Sequence, residues 1–346
     1  MSFGQITNRE SLRDTVTCLQ AHASKLYHLE ISHHVTHSTL AEANESRDWR
    51  IYADFAQTLT ARARQLYLDD NGFSLEIDNP VYALDATTID LCLSVFWWAP
   101  FRRNKAAVKL HTLLDLRGDI PTFIRITDGK THEINMLDEI AFEPSAFYIM
   151  DKAFVDFERL SRINLTGAFF VIRAKTNTQM KRIYSADVDK QTGLRCDQTV
   201  RLTIPKAAKN YPEKLRRIKY FDKEQEKTYV FLTNNFEITA MEVTLLYKHR
   251  WKIELFFKWI KQHLKIKSFW GQSQNAVKTQ IWIAICTYLT VAIAKKELGL
   301  DRNLYEILQI LSVSTFDRTP LSTLLHETQL QNSGIPSTNQ LSLFNL

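Results

Sequence analysis

The chain has 346 residues, enough for one large domain or two ordinary ones with real cores. Its 45% hydrophobic and 24% charged fractions exclude a disordered or fibrous chain. Lys and Arg number 44 against 38 Asp and Glu, a formal charge of +6. Cys18, Cys92, Cys196 and Cys286 are scattered without a CxxC pair, which argues against disulfides and structural zinc. The opening MSFGQITNRESLRDTV lacks the basic-then-apolar signal pattern. The longest apolar run, Ile281 to Ala294, is too short to cross a bilayer and reads as a core helix. The expected setting is a reducing cytoplasm, with no membrane partner.

In chain order, residues 1–75 read as a small helical domain. The segment 12–29 is amphipathic, and 38–68 follows as a second helical run capped by Ser38 or Thr39. His33, His34 and His37 lack a partnering Cys or acid cluster, so exposed or capping roles suit them better than a metal site. Asp69-Asp70-Asn71-Gly72 and Asn79-Pro80 mark turns. In VYALDATTID, four apolar residues lead to Asp85, the pattern of a buried strand with a carboxylate at its C-terminal edge. A hairpin follows, with strands over 109–116 and 122–127 and a turn at Arg117-Gly118-Asp119. His132 to Ile140 suits a short helix. Phe147 to Met150 then repeats the earlier logic as a strand delivering Asp151, with a helix starting near Phe154 and a strand over 168–172. Asp90 and Asp156, five residues past each acid, are weaker candidates because neither sits at a strand end.

Charge is unevenly spread. Residues 1–80 hold seven Lys/Arg and eleven Asp/Glu, a net of −4, whereas residues 174–230 hold fourteen and seven, a net of +7. A basic surface recruits phosphate backbones through counterion release, although a solvated Lys-rich loop region has the same composition. From about 174 to 236 the alternation of QTVRLTI, RRIKYFD and KTYVFLTNN predicts a β-rich stretch.

The stretch from Thr239 to Gly271 reads as one long helix. Thr239 and Glu242 have capping-box spacing, and Ile238 and Val243 the spacing of a hydrophobic staple. Tyr247, Arg250, Glu254 and Lys261 lie at i, i+3, i+7 and i+14, within an arc of roughly 60° at about 100° per residue. Leu246, Trp251, Ile253, Leu255, Phe256, Trp259 and Ile260 make the other faces apolar. The polar stripe could be a row of ion pairs. Yet Glu254 is the one acid among seven Lys/Arg between Tyr247 and Lys267, a carboxylate placed for a metal ion beside a polyanion. After Gly271, residues 275–299 predict a long apolar helix, DRNLYEILQILSV an amphipathic one, and 321–346 a loosely ordered tail.

Tyr-x2-Arg-x3-Glu-x6-Lys resembles the signature of bacterial insertion-sequence transposases of the Asp-Asp-Glu class. Tyr247, Arg250, Glu254 and Lys261 match all four positions, and LKIKSFWGQSQNAVKTQIWIAI is similar to that group's continuation. The resemblance implies an α/β, ribonuclease H-like catalytic domain over 76–320 in which Asp85, within Asp-Ala-Thr-Thr, and Asp151 are the first and second acids and Glu254 the third. It further implies a β-rich basic insertion at about 174–236, and end-DNA binding by the helical unit over 1–75. One departure is Asp151-Lys152-Ala153-Phe154, where Asp-Arg-Gly-aromatic is usual. Lys keeps the charge without the planar fork, and Ala strains the turn if it needs a positive φ. Relatives hold a flipped base with an insertion aromatic; here Tyr184, Tyr211, Tyr220, Phe221 and Tyr229 are the candidates.

Three carboxylates suit Mg²⁺ or Mn²⁺, two ions in the resemblance, with Tyr247, Arg250 and Lys261 holding DNA phosphates. The implied activity is cut-and-paste DNA transposition: hydrolysis at the element ends, then transfer of the 3′-hydroxyl into target DNA, by a homodimer on paired terminal inverted repeats. The alternatives are a transposase-derived DNA-binding protein that no longer cuts, and a ribonuclease H-like nuclease without strand transfer. The second leaves Tyr247, Arg250 and Lys261 unexplained.

Overall fold

The computed structural model describes residues 1–29, 31, 35–70, 77–103 and 105–326. His33, His34, Asn71, Gly72 and the tail beyond 326 lie outside them. The N-terminal helices are α1 (Ser2–Ile6), α2 (Leu12–Ala21), α3 (His37–Ser46) and α4 (Arg50–Leu66). The run expected over 38–68 is two helices, and the cap of the first is Thr36, whose hydroxyl accepts from Thr39 N. The segment 12–29 likewise divides, α2 giving way to a 3-10 turn at Ala23–Leu29.

The strands are β1 (Val81–Leu91), β2 (Pro100–Arg102), β3 (Lys105–Asp115), β4 (Ile120–Asp128), β5 (Phe147–Met150), β6 (Phe169–Arg173), β7 (Met180–Ala186), β8 (Leu194–Leu202), β9 (Leu215–Asp222) and β10 (Lys227–Thr233). Helix α5 (Phe157–Leu165) joins β5 to β6, and α6 (Pro205–Asn210) joins β8 to β9. After β10 come α7 (Ala240–Lys248), α8 (Trp251–His263), α9 (Gln274–Glu297), α10 (Leu304–Ser314) and α11 (Leu321–Leu325). Among the described residues the strands form one mixed sheet in the order β2-β3-β1-β5-β6-β10-β9-β8-β7, with β4 also on β3. The β-rich stretch is therefore no separate lobe. Its last strand, β10, pairs antiparallel with β6 and continues the central sheet.

Alternation along β1 explains the layering. Val81 and Ala83 face one core, shared with α4 and α7 to α9, while Tyr82 and Leu84 face another, shared with α5. A strand buried on both faces reads as a continuous apolar run, which is why VYAL carries no polar residue. Helix α9 is long and apolar enough to span a membrane by length and composition, but it is nearly all buried here. It packs against α1, α3, α4, α8 and α10 as the core helix that its apolar run predicts.

Candidate active site

Asp85 and Asp151 come together through the parallel pairing of β1 with β5. That pairing ends at Leu84 opposite Met150, so the two acids are the next residue on each strand. The expectation that Asp85 ends its strand does not hold, because β1 continues antiparallel to β3 as far as Leu91. It ends only the parallel ladder. Asp151 leaves β5 and caps a 3-10 turn over Lys152–Phe154, its carboxylate accepting from Ala153 N. Ala153 is not among the residues at positive φ, so this turn accommodates Ala without strain.

The helix expected over 239–271 is two helices and ends at His263. Thr239 caps α7 with both bonds of the capping box. At the joint the bonding tightens from i−4 to i−3: Arg250 N donates to Tyr247 O (3.1 Å) and Lys252 N to His249 O (3.0 Å). The joint places Arg250 over the sheet. Its guanidinium donates to Asp85 Oδ2 (2.8 Å) and to Glu254 Oε1, bridging the first and third acids, while its Nε is buried without a partner. Lys261 donates to Thr87 Oγ1 (2.5 Å) and Thr88 O (2.8 Å), fixing the end of α8 along β1. The Asp-Ala-Thr-Thr threonines thus have a role that spacing alone did not reveal. Trp251 and Leu255 are exposed, against the expectation of an apolar core face.

Electrostatics set Asp85 apart from an ordinary surface carboxylate. Burial pushes Asp85 up to about 6, with neighbouring Asp151 and Glu133 adding to the rise and Ala86 N and Arg250 opposing it. Burial works against the Arg250 charge, but Tyr247, Asp85 and Glu254 hold its pKa above the usual value. Burial lowers Lys261, helped by Lys267. It raises Tyr247, whose ring packs 4.6 Å from that of Phe231. Among the described residues no three His, Cys, Asp or Glu side chains form a ready metal cluster, since Arg250 stands between Asp85 and Glu254.

Of the weaker candidates, only Asp156 has a structural role among the described residues. Asp156 caps α5 by accepting from Arg159 N (3.1 Å), and Asp90 is exposed on β1. A cavity of about 480 Å³ opens beside Glu254, between β9, β10 and α7, lined by Arg173, Tyr220, Tyr229, Tyr247, Arg250 and Trp251 among others. Tyr220 and Tyr229 are the expected aromatics that reach it. Tyr211 is buried in the core and Tyr184 lies on the outermost strand, β7. A larger cavity of about 670 Å³ surrounds Asp119 and Lys252, away from Asp85 and Asp151.

A family model described as the transposase DDE domain matches residues 76–290. The chain belongs to that family. As a DDE transposase it is a nuclease and strand transferase acting on DNA. Residues 1–31 match a domain of unknown function. A Sinorhizobium fredii protein named as a transposase, y4zB, is 36% identical over 262 residues, 74% of this transposase and 71% of its own length. A Geobacillus stearothermophilus protein named as a transposase for insertion sequence element IS5377 is 27% identical over 62% of this chain, which spans 57% of that relative. The piggyBac transposase synaptic complex with hairpin DNA aligns over 75% of this chain and 59% of its own at 10% identity and a TM-score of 0.43, too distant to carry an argument.

Proposed function

We propose that Asp85, Asp151 and Glu254 form the catalytic and metal-binding centre of a ribonuclease H-like core that performs cut-and-paste transposition. The observation that carries this reading is the emergence of Asp85 and Asp151 side by side from the parallel β1–β5 ladder at the sheet centre, with Glu254 joined to Asp85 through Arg250. Carboxylate oxygens fit Mg²⁺ or Mn²⁺, and a buried acid that resists ionisation fits a site completed by cations. Two such ions, when bound, supply charge stabilisation for an in-line phosphoryl displacement.

The chain's own residues hold the DNA. Arg250 presents a guanidinium at Asp85 and Tyr247 adds a hydroxyl for a phosphate of the element end, while Lys261, at the far end of α8 on Thr87 and Thr88, is placed for a different DNA phosphate. In the DNA-free state Arg250 rests on the acids. A phosphate competes for that guanidinium, and its departure leaves Asp85 and Glu254 free for cations. Tyr220 and Tyr229 suit stacking of a displaced base in the adjoining cavity. The domain division follows: a helical unit over 1–75 for end DNA, a catalytic domain over 76–320 with its basic insertion at 174–236, and a tail. The protein works as a dimer in the bacterial cytoplasm, on double-stranded terminal repeats and target DNA.

The test is incubation of the full chain with a duplex carrying its own element end, a plasmid target and Mg²⁺. The expected products are a nick with a free 3′-hydroxyl and its joining to the plasmid. Binding without nicking would identify a non-cutting descendant, and nicking without joining a nuclease.

A further inference from the structure

Between β1 and β3 the chain makes an excursion that the acid site does not use. Its base is firmly held. Phe96 is buried edge-on to Phe269, with ring centroids 6.0 Å apart, and Trp98 Nε1 donates to Gln272 O (2.8 Å). Phe101 packs on Gly129, where an added Cβ would lie 2.6 Å from its ring. From this anchored base Trp97 stands 78% exposed, and Arg102 at the end of β2, Arg103 after it and Lys105 at the start of β3 are exposed as well. Among the described residues no carboxylate lies within ion-pair distance of those three cations. Arg102 stacks over the Phe101 ring, 5.0 Å from its centroid, with its charge unneutralised. A largely exposed indole costs apolar hydration, and anchoring it near cations that no carboxylate neutralises is the composition of a nucleic-acid contact.

Its place in the sheet decides which DNA. The strand order sets β2 and β3 on one side of β1, and β5, β6, β10 and the basic insertion on the other. Arg250 and the cavity lie on the insertion side of Asp85, whereas α8 leads away from them to Lys261 on Thr87 and Thr88. Burial lowers Lys261, and exposed Lys267 is near enough to add to that while exposed Asp90 opposes it; the same segment continues to Phe269 and Gln272 at the excursion's base. A basic track therefore leaves the acids on the flank opposite the cavity. Strand transfer needs two duplexes at one acid centre. We propose that the excursion, with Trp97, Arg102, Arg103 and Lys105, is a wing that holds target DNA while the cavity side holds the element end. This rests on the function proposed above.

The test uses the full chain carrying Arg102→Ser, Arg103→Ser and Lys105→Ser together, and separately Trp97→Ala and Trp97→Phe. Two probes are compared, a duplex with the element's own end and a labelled random-sequence duplex offered with and without that end. Capture of the random duplex should fall at least tenfold in the triple variant, with a salt slope shallower by about 3 because three fewer counterions are released. Trp97→Ala should weaken capture without changing the slope, and Trp97→Phe should keep most of it. End binding and end nicking should stay at the wild-type level, and joining should fall with capture. Unchanged capture overturns the proposal. Equal loss of end binding overturns it too, by assigning the wing to the element end. Failure of wild-type nicking would count against the proposed function alone, since the capture measurement needs no cleavage.

Discussion

Arg250→Ala removes the guanidinium that bridges Asp85 and Glu254. The Arg250 and Asp85 side chains are 18% and 20% exposed and 2.8 Å apart. A hydrogen bond to a charged group contributes about 1.5–3 kcal/mol, between the roughly 0–1 of a surface pair and the 3–5 lost on breaking a fully buried one. The more exposed Glu254 arm adds little, so a loss of about 2 kcal/mol is expected near pH 8. The pH dependence follows from Asp85, which burial pushes up to about 6 even with Arg250 opposing the rise. Without Arg250 the carboxyl titrates higher still, while its unfolded value stays ordinary. Ionised Asp85 therefore costs stability above its folded pKa, and the cost fades as the proton returns. The deficit should be largest at pH 8 and shrink as the pH falls toward 6. Single-turnover nicking of the end duplex, divided by the folded fraction from thermal unfolding at the same pH, separates the roles. A phosphate contact predicts at least a 100-fold loss, about 2.7 kcal/mol, not restored by more Mg²⁺ and partly restored by Arg250→Lys. Normal turnover per folded molecule would refute the clamp and leave a structural ion pair.

Lys261→Ala should slow nicking and also lower the melting temperature, since Thr87 and Thr88 lose their tie to α8; a change in neither measure would contradict the geometry. Asp156→Ala should keep activity yet lose about 1 kcal/mol of stability with its helix cap, read by urea unfolding, and Asp90→Ala should be silent in both. Buried His111, pushed down to about 4 by burial with help from Lys109 and Arg125, favours the folded state in full above pH 6.5, and that contribution of about 3 kcal/mol is lost as the pH falls toward 4. His111→Gln should flatten this part of the unfolding profile; an unchanged profile would place the acid sensitivity elsewhere. Tyr229→Ala should weaken binding of an end duplex with an unpaired terminal base more than that of a fully paired one, and equal effects would remove the cavity from base stacking.

Apolar runs ending in acids located β1 and β5 because a doubly buried strand leaves no room for polar residues until the ladder ends. The capping box at Thr239 was legible for a similar reason, as a local device independent of the rest of the chain. The break between α7 and α8 was not. No Gly or Pro marks it, and tightening at His249 and Arg250 is matched by the reach of Arg250 to Asp85, 165 positions away. The basic character of β9 misled in a different way. Arg216 looks like a DNA contact in sequence, yet it is buried and paired with Asp197 at 2.7 Å on the neighbouring strand. A charge count does not record which cations are already neutralised. The wing was hidden for a related cause, because Trp97 and Trp98 are alike in sequence and only packing separates the anchor from the exposed ring.

The most direct test of the acid centre is single-turnover nicking of the element end by Asp85→Ala, Asp151→Ala and Glu254→Ala in Mg²⁺ and in Mn²⁺, with Mn²⁺ occupancy of the same end complexes followed by electron paramagnetic resonance. Each substitution should leave end binding near the wild-type level, abolish nicking with both metals and reduce bound Mn²⁺. Wild-type nicking and Mn²⁺ occupancy in Glu254→Ala would contradict the account.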